Sequence, residues 1–505
     1  MFRSAHRCIL RKLIENGAQR IHYERARGHD VVPRYMSHES LSSPSYAKRF
    51  PPLVRPLPGL SLPPCTLDHA DRNPTRITTL PNGLRIASED ALGPAASIGI
   101  YVDCGSIYER EESIGATHLL ENLSFKSTRN RSRLSIIREV EATGGNVGAS
   151  ASREQMGYNY ETLKPYLPEA VELLIDCVRN PLFLESEVEE QLTKIKREIE
   201  EINDPLEFLL ESLHLTGYSG ALGNPLKAPK KVLERINGSI IRKFYFDNYT
   251  ADRIVLAAYG VDHEHLLTIA EPLLSDLNRG NQFEVPESKY IGGDFRHRQA
   301  DSEKTHVALA FEVPGGWHDE KNSTALIVLQ TLMGGGGSFS AGGPGKGMHS
   351  RLYLRVLNKH QEVHTFSAFS SVYNDTGLFG VQFTTKSDFV AKAVDVAAFE
   401  LLAIATPGEV TELELVRAKN ATKSAIMMNL ESRSIITEDI GRQILTYGCR
   451  KPVEYFLKCL EELTLSDITM LAQKFLSSPL TMACYGDVDK VPGYDYVSQR
   501  FQTAA

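Results

Sequence analysis

Two stretches far apart in the chain repeat one pattern, and that repeat limits the fold more than any other feature. Arg253–Asp262 holds Ala-Ala-Tyr-Gly-Val-Asp after an expected helix containing Phe244 and Tyr245, and Thr481–Asp489 holds Ala-Cys-Tyr-Gly-Asp-Val-Asp after one containing Leu471 and Phe475. Upstream, Ala96–Cys104 reads as a strand that passes through Gly105 into a helix with His118. His306–Val313 reads as a strand that passes through Pro314-Gly315-Gly316 into a helix with Leu329. His306 lies 179 residues before Tyr485, and Ile98 lies 161 before Tyr259. Self-similarity at this scale is the mark of a duplicated unit. Alternation of strands and helices within each unit predicts two layered α/β sandwich domains, an α+β fold. Arg76–Ser88, two short alternating runs around Pro81-Asn82-Gly83, adds a hairpin at the start of the first.

The expected organisation is a targeting peptide over 1–45, a Pro/Ser-rich extended segment over 46–75, one domain over 76–280, a polar linker over 281–304, and a second domain over 305–492. Arg3, Arg7 and Arg11 share one side of a helical wheel, roughly opposite Phe2, Ile9 and Leu13. A basic amphipathic leader without a continuous apolar core fits a mitochondrial targeting peptide, cleaved between residues 25 and 50. Residues 1–55 contain 11 Lys/Arg and 4 Asp/Glu, which leaves 45 basic against 59 acidic residues in the remainder, a net charge of −14. An acidic body steers basic partners towards itself, although solubility alone explains it equally well. No nucleic-acid partner is expected. The apolar runs Ile254–Tyr259 and Val396–Ala405 fall short of the ~18 residues needed to cross a bilayer, and Glu400 interrupts the second. The seven cysteines are scattered without a Cys-x-x-Cys pair, which suits a reducing compartment.

Gly334–Gly347 contains eight glycines in fourteen residues. Its candidate contact residues are Gly334, Gly335, Gly336, Gly337, Ser338, Phe339, Gly342, Gly343, Gly345, Lys346 and Gly347. Such a run is expected to form neither helix nor paired strand. It is expected to be a mobile loop slung between the apolar helix Thr324–Met333 and a helical stretch with Leu352, Val356 and Leu357. A phosphate loop is a poor match, since Gly345-Lys346 is followed by Gly347 where Ser or Thr belongs. A plain flexible spacer remains open, but Phe339, Pro344 and Lys346 favour a gate or sensor for an extended ligand. Phe339 fits an apolar contact or a core-facing anchor equally.

His118, Glu121 and Asn122 share one helical face at i, i+3 and i+4. An inverted zinc-hydrolase site needs His-x-x-Glu-His there, with a distant third ligand such as Glu198. An amide at 122 carries no charge and is a poor zinc donor. The alternative is a partly buried His118 paired with Glu121.

His-Leu-Leu-Glu-Asn after a strand, the acidic helix about 76 residues later and the duplicated halves resemble the pitrilysin-type zinc peptidases. The loop Gly-Gly-Gly-Gly-Ser-Phe-Ser-Ala-Gly-Gly-Pro-Gly-Lys-Gly, with Asn146–Tyr158 and Asn429–Tyr447, is similar to the alpha-chain family of mitochondrial processing peptidases, plant versions above all. That resemblance implies two homologous domains, each a largely antiparallel sheet packed by helices. It implies a catalytically degenerate chain with no cofactor of its own, paired with a beta subunit that holds the zinc. It implies that the glycine loop helps bind basic presequences of imported precursors on the matrix side of the inner membrane, and that the pair is a core component of the cytochrome bc complex. A purely structural role there, or a stand-alone peptidase, are the rival readings.

Overall fold

The computed structural model describes residues 74–200, 204–280, 287–299, 302–337 and 347–502. Its strands, in chain order, are β1 (Arg76–Thr79), β2 (Arg85–Glu89), β3 (Ala95–Val102), β4 (Asn146–Ala151), β5 (Met156–Leu163), β6 (Tyr218–Gly220), β7 (Ile254–Tyr259), β8 (Ser288–Tyr290), β9 (Gly293–Arg298), β10 (Lys304–Pro314), β11 (Gly335–Gly337), β12 (Val363–Val372), β13 (Thr376–Lys386) and β14 (Thr481–Gly486). Two six-stranded sheets result, ordered β1-β2-β7-β3-β5-β4 and β11-β12-β13-β10-β14-β9, while β6 and β8 pair by themselves.

The duplication is visible in the pairing. β2 runs parallel to β7, and every other neighbour in that sheet is antiparallel. β9 runs parallel to β14, and every other neighbour in the second sheet is antiparallel. The run β2-β7-β3-β5-β4 therefore matches β9-β14-β10-β13-β12 in order and direction. β1 and β11 are the additions, each on one outer edge. The chain is thus an α+β protein built from two alike sheets packed by helices.

Both faces of each central strand are apolar, as a doubly covered sheet requires. Along β3, Ile98, Ile100 and Val102 enter one core with the helix Leu167–Arg179, while Tyr101 turns the other way. Along β10, Val307, Leu309, Phe311 and Val313 pack on the helices Glu320–Met333, Val390–Ala405 and Leu465–Leu476, while Ala308 and Ala310 face away. Period-2 alternation thus sorts each strand between two covering layers.

The second cover is exchanged between the halves. Leu209 and Leu213 of the helix Pro205–Gly217, in the first half, pack on Ala308, Ala310, Phe369 and Ala483 of the second sheet. Ile436, Ile440 and Ile444 of the helix Arg433–Tyr447, in the second half, pack with Ala87, Tyr101, Val255 and Ala257 of the first sheet. Each of those isoleucines contributes roughly 1.5–3 kcal/mol of burial. The approach is close: a Cβ on Gly441 would lie 2.0 Å from the Tyr101 ring.

Three expectations need correcting. The segment 281–304 is not simply a linker, because β8 and β9 lie within it and β9 belongs to the second sheet. Its polar sequence Gly-Asp-Phe-Arg-His-Arg suits an edge strand, which needs few apolar side chains. The second half also extends past residue 492, where the helix Tyr494–Gln502 docks Val497 and Phe501 into the second core. Those two are one helical turn apart, and the Phe501 ring lies 4.8 Å from that of Phe311. The glycine run departs as well, because Gly335–Gly337 forms β11 on the outer edge of the second sheet. The expected targeting peptide and all of the Pro/Ser-rich segment before Pro74 lie outside the described residues.

Candidate functional site

The short helix Ala116–Asn122 starts at Gly115, whose φ of +87° suits glycine. Its free N–H groups are held by a buried carboxylate. Glu109 accepts from the N–H of Gly115 and of Thr117, each at 2.7 Å. Burial pushes the Glu109 carboxyl up to about 8, against the pull of those two donors. Nothing in the sequence marked Glu109 out from the neighbouring Glu111 and Glu112.

This helix presents His118, Glu121 and Asn122 together, as the spacing requires, and each makes a hydrogen bond to main chain. His118 Nδ1 accepts from the Ala228 N–H at 3.2 Å. Glu121 accepts from the Ala151 N–H at 3.1 Å. The Asn122 amide donates to the His118 carbonyl at 2.9 Å, so it closes its own helical turn. Glu198 is exposed and lies 3.7 Å from Lys194 on its own helix. Burial and the nearby Lys227 ammonium lower the His118 pKa to about 4, while Glu198 and Glu211 oppose them. The Glu198 carboxylate acts on His118 only through its charge, and among the described residues its one ion pair is with Lys194.

The donor set does not fit zinc. It offers one imidazole, one carboxylate bonded to main chain, one neutral amide and one solvated carboxylate, with a lysine charge acting on the same imidazole. Among the described residues, no three His, Cys, Asp or Glu side chains converge in a metal-binding arrangement. The expected pairing of His118 with Glu121 gives way to the bonds with Ala228 and Ala151.

The glycine run departs from expectation. Gly335–Gly337 is a paired strand, antiparallel to β12 in the register Gly335↔Ser367, Gly336↔Phe366 and Gly337↔Thr365. Composition argued against pairing because glycine loses the most entropy on ordering. Sterics decide otherwise here. Gly334 and Gly335 adopt φ of +58° and +105°, and a Cβ on Gly335 would lie 2.0 Å from the Phe366 carbonyl oxygen. Only a bare backbone fits at Gly335, whereas a Cβ on Gly336 would meet nothing within 4 Å. The two ends of the run are tied together, since the Gly335 N–H donates to Ser350 Oγ at 3.1 Å. Gly347 accepts from the Ser350 N–H at 2.9 Å. A π-helical turn, Tyr353–Leu357, follows directly. Such turns are rare and concentrate near functional sites. Of the candidate contacts, Gly334, Gly335, Gly336, Gly337 and Gly347 are placed at this stem. Ser338, Phe339, Gly342, Gly343, Gly345 and Lys346 lie outside the described residues. Sequence reasoning missed Ser350; a serine closing a glycine-rich run was the only signal.

Duplicated sheets, a helix with a spoiled metal triad and a glycine stem on the opposite half describe a degenerate member of a peptidase class. Residues 85–230 match the family described as insulinase (peptidase family M16), and residues 235–422 match the peptidase M16 inactive domain. The mitochondrial-processing peptidase subunit alpha of Solanum tuberosum is 60% identical over 453 residues, 90% of this chain and 90% of that protein. A probable mitochondrial-processing peptidase subunit alpha-2, chloroplastic/mitochondrial, of Arabidopsis thaliana is 57% identical over 473 residues, 94% of each. The Homo sapiens subunit alpha is 34% identical over 468 residues, 88% of each. The chain belongs to the mitochondrial-processing peptidase alpha-subunit family.

Proposed function

We propose that this chain is the non-catalytic, substrate-recognition subunit of a mitochondrial processing peptidase. It binds basic presequences of imported precursors in the matrix, and a zinc-bearing beta subunit cuts them. The observation that carries this reading is the pairing of opposites within one chain. The positions that would hold a metal offer a donor set unfit for zinc, while the glycine run is anchored at its stem by main-chain pairing and Ser350.

The reading has two physical parts. The acidic body gathers a basic peptide, an attraction that added salt weakens. The glycine segment supplies backbone groups without side-chain obstruction, so differing presequences are accepted without one fixed motif. Lys346 would repel a basic peptide, so its part is structural in this reading.

The test is reconstitution with the beta partner and a presequence peptide. Deleting residues 338–346 while keeping Gly334–Gly337 and Ser350 should raise KM about tenfold or more, with assembly intact. Unchanged KM in an assembled complex sinks the role assigned to the loop. Steady peptide cleavage by the isolated chain, with stoichiometric zinc, sinks the non-catalytic reading.

A further inference from the structure

Arg351 follows Ser350 directly and turns inward, with its side chain 0% exposed. Its Nη1 donates to the Glu409 carbonyl at 2.9 Å and lies 3.3 Å from both carboxylate oxygens of Glu414. Its Nη2 lies 3.6 Å from Glu400 Oε2, which is itself on a side chain only 5% exposed. Arg351 Nε, Arg351 Nη2 and Glu400 Oε2 have no hydrogen-bond partner. Burial pushes the Glu400 carboxyl up, opposed first by Arg351.

This arrangement is a poor way to gain stability. Buried charges are costly to strip of water, and apolar side chains of similar volume often replace them without loss. Here the bonds are incomplete as well, so the cluster needs another reason to exist. Its geometry supplies one. Glu400 belongs to the helix Val390–Ala405. Glu414 closes a capping box with Thr411 at the start of the helix Glu412–Asn429. Arg351 therefore joins the returning end of the glycine run to two helices of the second core. Through Ser350 the same end holds Gly335 and so the edge strand β11. A guanidinium fork fixes direction as well as distance, which a lysine or an apolar residue does not.

We infer that Arg351 is a positioning residue for presequence recognition, setting where the glycine run leaves and rejoins the second sheet through its contacts with Glu400, Glu409 and Glu414. The inference rests on the reading of the loop as the peptide contact. It assigns Arg351 no contact with substrate.

The experiment uses the complex reconstituted with the beta partner and a basic presequence peptide. Arg351→Met combined with Glu400→Leu removes both fully buried charges at once. The expected result is an unchanged melting temperature with KM raised about tenfold and kcat within about twofold. Arg351→Lys keeps the charge but loses the fork, so its KM should rise about threefold. An unchanged KM in the double variant overturns the inference. So does a lower kcat at constant KM, the sign of a smaller folded fraction. Should the double variant fail to assemble, Arg351→Lys decides alone: the threefold rise supports the inference and its absence overturns it. The 338–346 deletion separates the two levels. If the deletion leaves KM unchanged, the loop reading itself has failed. If the deletion raises KM and the Arg351 variants do not, only this inference has.

Discussion

The two halves place a connection at the same point, after the first α-helix that follows the central strand, and secure it by opposite means. In the first half, residues 123–132 are pinned by carboxylates. Ser127 donates through Oγ to Glu187 at 2.8 Å. Thr128 and Asn130 donate to the buried Asp176 at 2.7 and 2.6 Å, and Arg131 joins them at 3.0 Å. In the second half, the stem of the run 334–347 is held by main-chain pairing with β12 and by Ser350. Side-chain anchors fix one conformation and tolerate ordinary residues. The main-chain anchor here excludes a side chain at Gly335 and puts none along the rest of β11. One scaffold has thus produced a connection held by side chains and one whose stem is held by main chain, and the latter sits on the half without the metal remnant.

That contrast can be broken from either side. The largest effect is expected from Gly335→Ala. Its Cβ would meet the Phe366 carbonyl at 2.0 Å, at a φ of +105°. Strain and displacement together should cost on the order of 3 kcal/mol, read as a lower urea midpoint with presequence affinity lost alongside. A midpoint within error of the parent would show that the edge strand is not held as described.

Asp176→Ala comes next. It removes the acceptor shared by Thr128, Asn130, Asn180 and Arg131. About 2 kcal/mol of stability should go, mostly as unsatisfied donors, while presequence KM stays constant. A changed KM would mean that the first-half connection also serves recognition and that the contrast is false.

The smallest effect, read over the first unit of acid below pH 7, is in pH. Burial lowers His214 to about 3, helped by Arg153 and opposed by Glu211, and it lowers His306 to about 4. Both values lie below the ordinary histidine value near 6.5, so the unfolded chain binds more protons between the two limits. Stability from these groups is complete above pH ~6.5 and falls as pH drops towards ~4, by up to about 1.4 kcal/mol per unit for each histidine. His214 joins the halves, since its Nε2 accepts from the Tyr373 hydroxyl at 2.6 Å while its Nδ1 donates to the Leu210 carbonyl. Urea midpoints measured across this range should fall with acid, and His214→Gln should flatten the slope. An identical slope in that variant would place the acid sensitivity elsewhere.

Much of this architecture was legible in the residues. The turn Pro81-Asn82-Gly83, the alternation in β3 and β10, and the paired Tyr-Gly signatures in β7 and β14 located both sheets, because strand period and turn chemistry are local signals. The exchanged helices were not legible. Leu209 and Leu213, or Ile436 and Ile440, show that a helix has an apolar face, but spacing does not say which sheet it covers. β9 was hidden by its polar sequence, and β11 by a composition that ordinarily opposes pairing. At the metal remnant, Asn122 already showed the loss. The engagement of His118 by Ala228 came from a residue 110 positions away and left no local trace.

The crossed helices also dictate an order of manufacture. Every strand of the first sheet has been made once Tyr259 leaves the ribosome, yet the face carrying Ala87, Tyr101, Val255 and Ala257 has no roof until Tyr447 follows. A chain cut near residue 280 would therefore carry a finished sheet with an oily underside. Chaperones, not water, are the natural company for such an unfinished molecule, and expressing either half alone should give aggregates.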